Sequence, residues 1–287
     1  MKNPILLTYY NASGLPLEHI AELPYTHVNL AFILVDESNP TTPKLDGAIA
    51  SGTPGQLTDN VKKAIKTLQS KGKKVLISFG GASMGSAVYK QIAGKENELA
   101  VNLAKFVKDN KLNGIDIDWE DTAAFQGNAG YDGVAFLVNL TKALRKHLPN
   151  TTYFLTHAPQ PPYLEKGSGM DGYIQVMKQA GKDIDWLNVQ FYNNPPWSGS
   201  PDTIVKSYLE YCKLPNLSWE KLLVGLPVTQ RDAGSGYIPV DDIVNKIIKP
   251  LQKAKKMGGM MNWQYSSDID YVWADKIGSA LGLIKEK

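Results

Sequence analysis

Cysteine is almost absent from this chain: Cys212 stands alone among 287 residues. One thiol cannot close an intramolecular disulfide, and it cannot build a cysteine cage around a metal. Histidine is nearly as scarce, and His19, His27, His147 and His157 lack the short spacings that metal ligation uses. No metal or other cofactor is therefore expected. Charge of one sign is also missing. The net charge of +3 is small and evenly spread, which speaks against nucleic acid or an anionic membrane as a partner. No apolar run approaches the length of a membrane span. The start, Met1-Lys2-Asn3-Pro4, leads directly into Ile5-Leu6-Leu7, without the regions of a signal peptide. The expectation is a secreted protein whose signal has been removed, with a cytosolic location as the alternative. Linkers, low-complexity tracts and shifts in composition are absent too. What remains is 43% hydrophobic and 21% charged, which suits a chain that buries a large core.

One stretch stands out, Asn113-Gly114-Ile115-Asp116-Ile117-Asp118-Trp119-Glu120. Successive side chains of a β-strand point to opposite faces. Asp116, Asp118 and Glu120 therefore share one face, and Ile115, Ile117 and Trp119 share the other. A helix would scatter the carboxylates and turn the apolar residues towards water. Carboxylates repeating every ~6.5–7 Å along a buried strand must be paired or protonated, and they shift one another's pKa. A solvated edge strand or a calcium loop would account for the acids, but not for the interleaved Ile, Ile and Trp. The pattern points to acid–base catalysis.

Apolar or alternating runs bounded by turn residues recur at 5–10, 26–35, 74–79, 114–120, 152–158, 186–192, 222–228 and 259–264. Between most of them lie amphipathic helical patterns, at 57–69, 96–109, 132–147, 202–211 and 241–255. Pro250 is expected to kink or end the last of these. Strands alternating with helices predict βαβ units and a parallel sheet. About eight such units in this length predict an α/β fold, a (β/α)₈ barrel spanning residues 1–287 as a single domain.

Barrel active sites lie at the C-terminal ends of the strands, and Glu120 closes its strand pattern. The polar and aromatic residues at the other strand ends should then surround it. These are Tyr9, Tyr10, Ser78-Phe79-Gly80-Gly81, Ala158-Pro159-Gln160, Gln190-Phe191-Tyr192-Asn193 and Trp263-Gln264. Phe32, on the second strand, belongs with them as a substrate contact. Structural roles compete with several of these. The glycines could serve a tight turn, and the tyrosines could pack in the barrel with their hydroxyls satisfied. Trp263 is either core or a platform for a sugar ring, and Trp197 reads as an outer sugar contact. Trp119, Trp186, Trp219 and Trp273 read as structural. His157 is left open between a core residue and a site residue.

At Asn113–Glu120 the chain resembles the family 18 glycoside hydrolases, whose signature is DGxDxDxE. Ser78-Phe79-Gly80-Gly81 matches that family's SxGG, and Trp263 its tryptophan on the eighth strand. The stretches 155–160, 189–194 and 225–227, with Ala233-Gly234-Ser235-Gly236-Tyr237, resemble the hevamine-like class III chitinase/lysozyme branch. The resemblance implies that Glu120 is the general acid/base. Asp118 would orient the substrate's 2-acetamido group, Asp116 would share a proton with Asp118, and Tyr192 would donate to the acetamido oxygen. Tyr9, Phe32, Ser78, Gly80, Gly81, Ala158, Gln160, Gln190, Asn193 and Trp263 would bind substrate. A retaining glycosidase normally uses a second carboxylate about 5–5.5 Å from the acid. The other strand ends offer Asn11, Gln160, Asn193 and Gln264, so the acetamido group itself would serve as the nucleophile, as this family does.

Three departures are visible. Asn113 replaces the first Asp of the signature, Asn193 stands where many bacterial relatives have Asp, and the plant relatives' disulfides are missing. None removes a catalytic residue. The space between the seventh and eighth strand patterns leaves no room for an inserted α+β unit, so an open groove is expected. The implied function is a monomeric endochitinase acting on chitin or chito-oligosaccharides. An endo-β-N-acetylglucosaminidase acting on N-glycans is the enzymatic alternative, and a catalytically inactive chitin-binding lectin the non-enzymatic one.

Overall fold

In a computed structural model, which describes residues 4–284, the expected strands form in order. They are β1 (Ile5–Tyr10), β2 (His27–Asp36), β3 (Asn39–Leu45), β4 (Lys74–Gly80), β5 (Gly114–Asp118), β6 (Phe154–His157), β7 (Trp186–Gln190), β8 (Leu222–Pro227) and β9 (Gly259–Trp263). Apart from β3, neighbours run parallel, and β1 pairs with both β9 and β2, which closes an eight-stranded barrel. The sequence reading of Met1-Lys2-Asn3 lies outside the described residues.

The ninth strand was not anticipated. Asn39-Pro40-Thr41-Thr42-Pro43-Lys44-Leu45 carries two prolines and pairs antiparallel with β2, opposite Leu34 and Ile33. Proline cannot donate to a ladder, so it is tolerated only where one strand edge stays free. This segment occupies such an edge, outside the closed barrel.

The outer layer consists of α1 (Asp59–Ser70), α2 (Ser86–Ile92), α3 (Glu96–Asp109), α4 (Thr122–Phe125), α5 (Gly133–His147), α6 (Gly172–Ala180), α7 (Pro201–Tyr211), α8 (residues 240–253) and α9 (Val272–Ala280). The helix starts follow from local chemistry. Thr58 accepts a hydrogen bond from the Val61 N–H at 3.1 Å, and Asp132 one from Ala135 at 2.9 Å, each satisfying an otherwise orphaned donor. α1 lays Val61, Ala64, Ile65 and Leu68 on the barrel and turns its lysines outward. Pro250 does not end α8. The helix widens into a π turn over Val244–Ile248 just before it, continues to Lys253, and so stops two residues short of the expected end. A proline lacks the N–H for the ordinary helical bond, and the wider turn leaves its ring room.

Between β8 and β9 only a loop and α8 intervene, so no α+β insertion walls the barrel mouth. Among the described residues, no helix is long and apolar enough to cross a membrane.

Side-chain alternation sorts the strands into two surfaces. Outward residues such as Ile115, Ile117 and Trp119 are buried under the helices, where Trp119 meets Phe125 with ring centroids 4.5 Å apart. Inward residues fill the barrel in layers. Ile5, Leu7, Leu223, Met261 and Trp186 form an apolar plug. Above it lies a polar layer of Asn29, Ser78, Asp116, Thr156 and Asn188, each fully buried. His157 takes the outward face of β6. There its ring nitrogens face the Tyr173 and Thr141 hydroxyls at 3.1 and 3.2 Å. Burial, with help from nearby Arg145, pushes its pKa down to about 3, so it is a neutral core residue.

Candidate active site

The ladder itself assembles the base of the site. Ser78, Asp116 and Thr156 are register partners on β4, β5 and β6, so their side chains enter the barrel at one level. Thr156 Oγ1 donates to Asp116 Oδ1 at 2.6 Å, and Ser78 Oγ donates to Oδ2 at 2.8 Å. From across the barrel, the Tyr9 hydroxyl donates to Oδ2 at 2.7 Å and Asn188 Nδ2 to Oδ1 at 3.0 Å. Each oxygen thus accepts two hydrogen bonds. Burial raises the Asp116 pKa, and the four donors pull it back by stabilising the anion. No hydrogen bond joins Asp116 to Asp118 among the described residues. Asp116 is held by these four neutral donors instead.

Asp118 stands one alternation higher. Gln190 Nε2 ties it to the end of the neighbouring β6, donating to Asp118 Oδ1 at 2.7 Å and to the Ala158 carbonyl at 2.9 Å. Burial raises the Asp118 pKa well above the usual carboxylate range, and repulsion from Glu120 and then Asp116 raises it further. Glu120 lies two residues beyond the last ladder pair, Gly80–Asp118, so β5 is shorter than expected. The ladder stops there because Gly80 leaves β4 with φ +113°. Glu120 nonetheless faces inward beside Asp118. Burial raises its pKa too, offset by hydrogen bonds from Gln160 and Gln190. Gln160 Nε2 donates to Glu120 Oε2 at 3.2 Å.

Glycine is required at the third strand end for a steric reason. A Cβ on Gly80 would lie 2.2 Å from the Asp118 carbonyl oxygen, and one on Gly81 would lie 3.0 Å from the Phe32 ring. The Gly81 N–H donates to that same carbonyl at 2.7 Å. The pair lets β4 turn away while pressing against both the acidic strand and the groove wall. Phe32 stacks on Trp263, with centroids 5.8 Å apart and planes 26° from parallel, and Tyr9 meets Trp263 at 5.8 Å with a 59° tilt. The peptide bonds Ala31–Phe32 and Trp263–Gln264 are cis.

These parts frame a groove of about 380 Å³ at the barrel mouth. Of the residues expected from the sequence, Phe32, Asp118, Glu120, Gln190, Tyr192, Asn193 and Trp263 line it. Tyr9, Ser78 and Asp116 lie beneath, and Gly80, Gly81, Ala158 and Gln160 stand behind its walls. Trp197 is half-buried outside the groove, and Tyr10 packs outward against Tyr265. Tyr192 has its hydroxyl free of hydrogen bonds to described residues. Burial, then repulsion from Asp118, Glu120, Asp116 and Asp232, holds that hydroxyl protonated. Asn193 takes φ +58°, and its Oδ1 accepts from the Gly234 and Ser235 amides at 2.7 and 3.2 Å, pinning the loop after β8.

Sequence reasoning missed Asp46, Asp232, Ala82 and Ser83, all of which line the groove, and Asn188 below it. Asp46 and Asp232 bring to the groove carboxyl groups that the other strand ends do not offer. Both come from loops, where no periodicity marks direction. Asn188 could have been found. Two polar residues at i and i+2 in the buried run Trp186–Gln190 carry the same signal as Asp116 and Asp118.

A groove with an aromatic wall, and a carboxyl held ready as an acid at the mouth of a (β/α)₈ barrel, define a glycoside hydrolase. The family model for glycosyl hydrolases family 18 matches residues 6–276, and the chain belongs to that family. It is 55% identical to a family 18 chitinase from Pseudoalteromonas aurantia, whose structure superposes with a TM-score of 0.94 over 96% of this chain and 99% of that one. It is also 30% identical to an acidic endochitinase of Arabidopsis thaliana, over 91% of this chain and 82% of the relative. An acidic endochitinase of Phaseolus angularis is 31% identical, over 85% of this chain and 78% of that one.

Proposed function

We propose that this protein is a chitinase that cleaves internal β-1,4 linkages beside N-acetylglucosamine with retention of configuration, acting as a monomer. Glu120 protonates the leaving oxygen and then activates water. The 2-acetamido group attacks the anomeric carbon, while Asp118 and the Tyr192 hydroxyl hold it in place. The observation that carries the reading is the state of Asp118. Its carboxyl is the inward-facing one next to the acid along the acidic strand, yet burial, then repulsion from Glu120 and Asp116, raises its pKa well above the usual carboxylate range. A carboxyl shifted towards its protonated form is a poor nucleophile and a ready hydrogen-bond donor, which supports a nucleophile carried by the substrate itself. The groove, open between β8 and β9, supports internal cleavage of a long chain. The named relatives support chitin over N-glycans.

The test is a product time course on chitohexaose with anomer-resolved detection, comparing wild type with Glu120→Gln. Initial β-anomers from the wild type are expected, with turnover in the variant reduced by about 10³-fold or more while oligosaccharides still bind. Binding without cleavage in both proteins would mark a lectin. Efficient cleavage of cellotetraose, which has no acetamido group, would sink substrate assistance.

A further inference from the structure

Among the described residues, four carboxyl side chains line the groove, and three are already engaged. Asp118 accepts from Gln190, and Glu120 from Gln160. Asp232 is tied into its own loop by the Thr229 amide and hydroxyl, each at 2.7 Å, and by the Ser267 hydroxyl. Asp46 differs. It is exposed, and its side chain makes no hydrogen bond or ion pair among the described residues. Its backbone is fixed, because Asp46 and Phe32 exchange both backbone hydrogen bonds, at 3.0 and 3.4 Å. Phe32 stacks on Trp263, so the free carboxylate stands at the edge of the aromatic wall.

The turn that carries Asp46 is packed from below. Asn11 Oδ1 is buried in the groove wall without a hydrogen-bond partner. The Asn11 carbonyl accepts from Ala48 at 2.8 Å, and a Cβ on Gly47, next to Asp46, would meet Asn11 Oδ1 at 2.2 Å. Asn11 therefore packs under the turn that carries Asp46, and the Asp46 carboxylate is the acceptor left open beside the aromatic wall. Neither lysine nor arginine lines the groove among the described residues. A sugar hydroxyl brings one donor and acceptor lone pairs. An ammonium group brings three donors, no acceptor and a positive charge, and it complements such a corner far better.

We propose that Asp46, on a turn packed over Asn11, forms a subsite that recognises a glucosamine residue, which makes partially deacetylated chitin a favoured substrate. This rests on the chitinase reading. The acetamido group at the cleaved bond is still needed, and the free amine binds at a sugar position away from it. Asp46→Asn keeps the side-chain size and the backbone pairing with Phe32 while removing the charge.

The experiment compares kcat/KM for fully acetylated and partially deacetylated chitohexaose, in wild type and Asp46→Asn, at mildly acidic pH where glucosamine is protonated. Products are sequenced by mass spectrometry. The ratio of the partially deacetylated to the acetylated substrate is expected to fall about threefold in the variant at low ionic strength, the scale of an exposed ion pair. Salt should erode the wild-type ratio towards that of the variant, because exposed charges are screened. Wild-type products should carry glucosamine at a fixed distance from the cut, and the variant should lose that bias. An unchanged ratio and unchanged product pattern in Asp46→Asn would overturn the subsite while leaving the chitinase reading intact. Cleavage of neither substrate by wild type would overturn both.

Discussion

Tyr9→Phe isolates one hydrogen bond in the floor of the site. Tyr9 is 2% exposed, and its hydroxyl donates at 2.7 Å to Asp116, which is itself fully buried. Phenylalanine keeps the ring against Trp263, so neither a cavity nor a clash is introduced. Ser78 remains on the same carboxylate oxygen. What is lost is one hydrogen bond to a buried anion, worth about 1.5–3 kcal/mol. For 287 residues the unfolding entropy is ~0.6 kcal/mol per kelvin, so Tm should fall by about 3–5 °C at neutral pH. The pH dependence has a definite sign. Burial already raises the folded pKa of Asp116, and the Tyr9 bond is one of the interactions that lower it. Removing that bond raises the folded pKa further, which costs stability only where Asp116 is ionised. The gap between wild type and variant should be widest near neutrality and close in acid, below about pH 4, where the carboxyl is protonated in both folded and unfolded chains. Calorimetry across that range is the assay. A Tm change under about 1 °C at neutral pH, or a gap that widens in acid, would refute the account of Asp116 as an anion held by its donors.

Gln160→Leu removes a donor that lowers the Glu120 pKa. The acid then stays protonated to higher pH, so the alkaline limb of kcat/KM should move upward, and a downward move would refute Gln160's role. Gly80→Ala forces a Cβ to within 2.2 Å of the Asp118 carbonyl, on a backbone at φ +113°. The expected loss is roughly 3 kcal/mol or more, with activity falling as the acidic strand shifts; denaturant unfolding beside an activity assay would reveal a tolerated substitution.

Local rules made much of this legible. The acidic strand announced itself because alternation along β5 is a property of the backbone, and buried carboxylates are too costly to retain without a use. The barrel could be read from the alternation of strand and helix patterns, and α3 falls at its expected residues, Glu96–Asp109. The proline-bearing β3 was missed because its composition argues against a strand, and only pairing with an edge of β2 stabilises it.

The sequence by itself determined which residues could do chemistry: three inward carboxyls on one strand, the glycines that let a neighbour turn beside them, and an aromatic at the last strand end. Tertiary structure decided what each became. The register across β4, β5 and β6 made Ser78 and Thr156 donors to Asp116, when Ser78 had been expected to touch substrate. Barrel closure brought Tyr9 against a strand more than one hundred residues away. The loops delivered one engaged carboxylate, Asp232, and one free one, Asp46. The physical reason is the range of the forces. Side-chain direction along a strand follows from neighbouring dihedrals, whereas burial, hydrogen-bond partnership and charge repulsion depend on what the fold brings near.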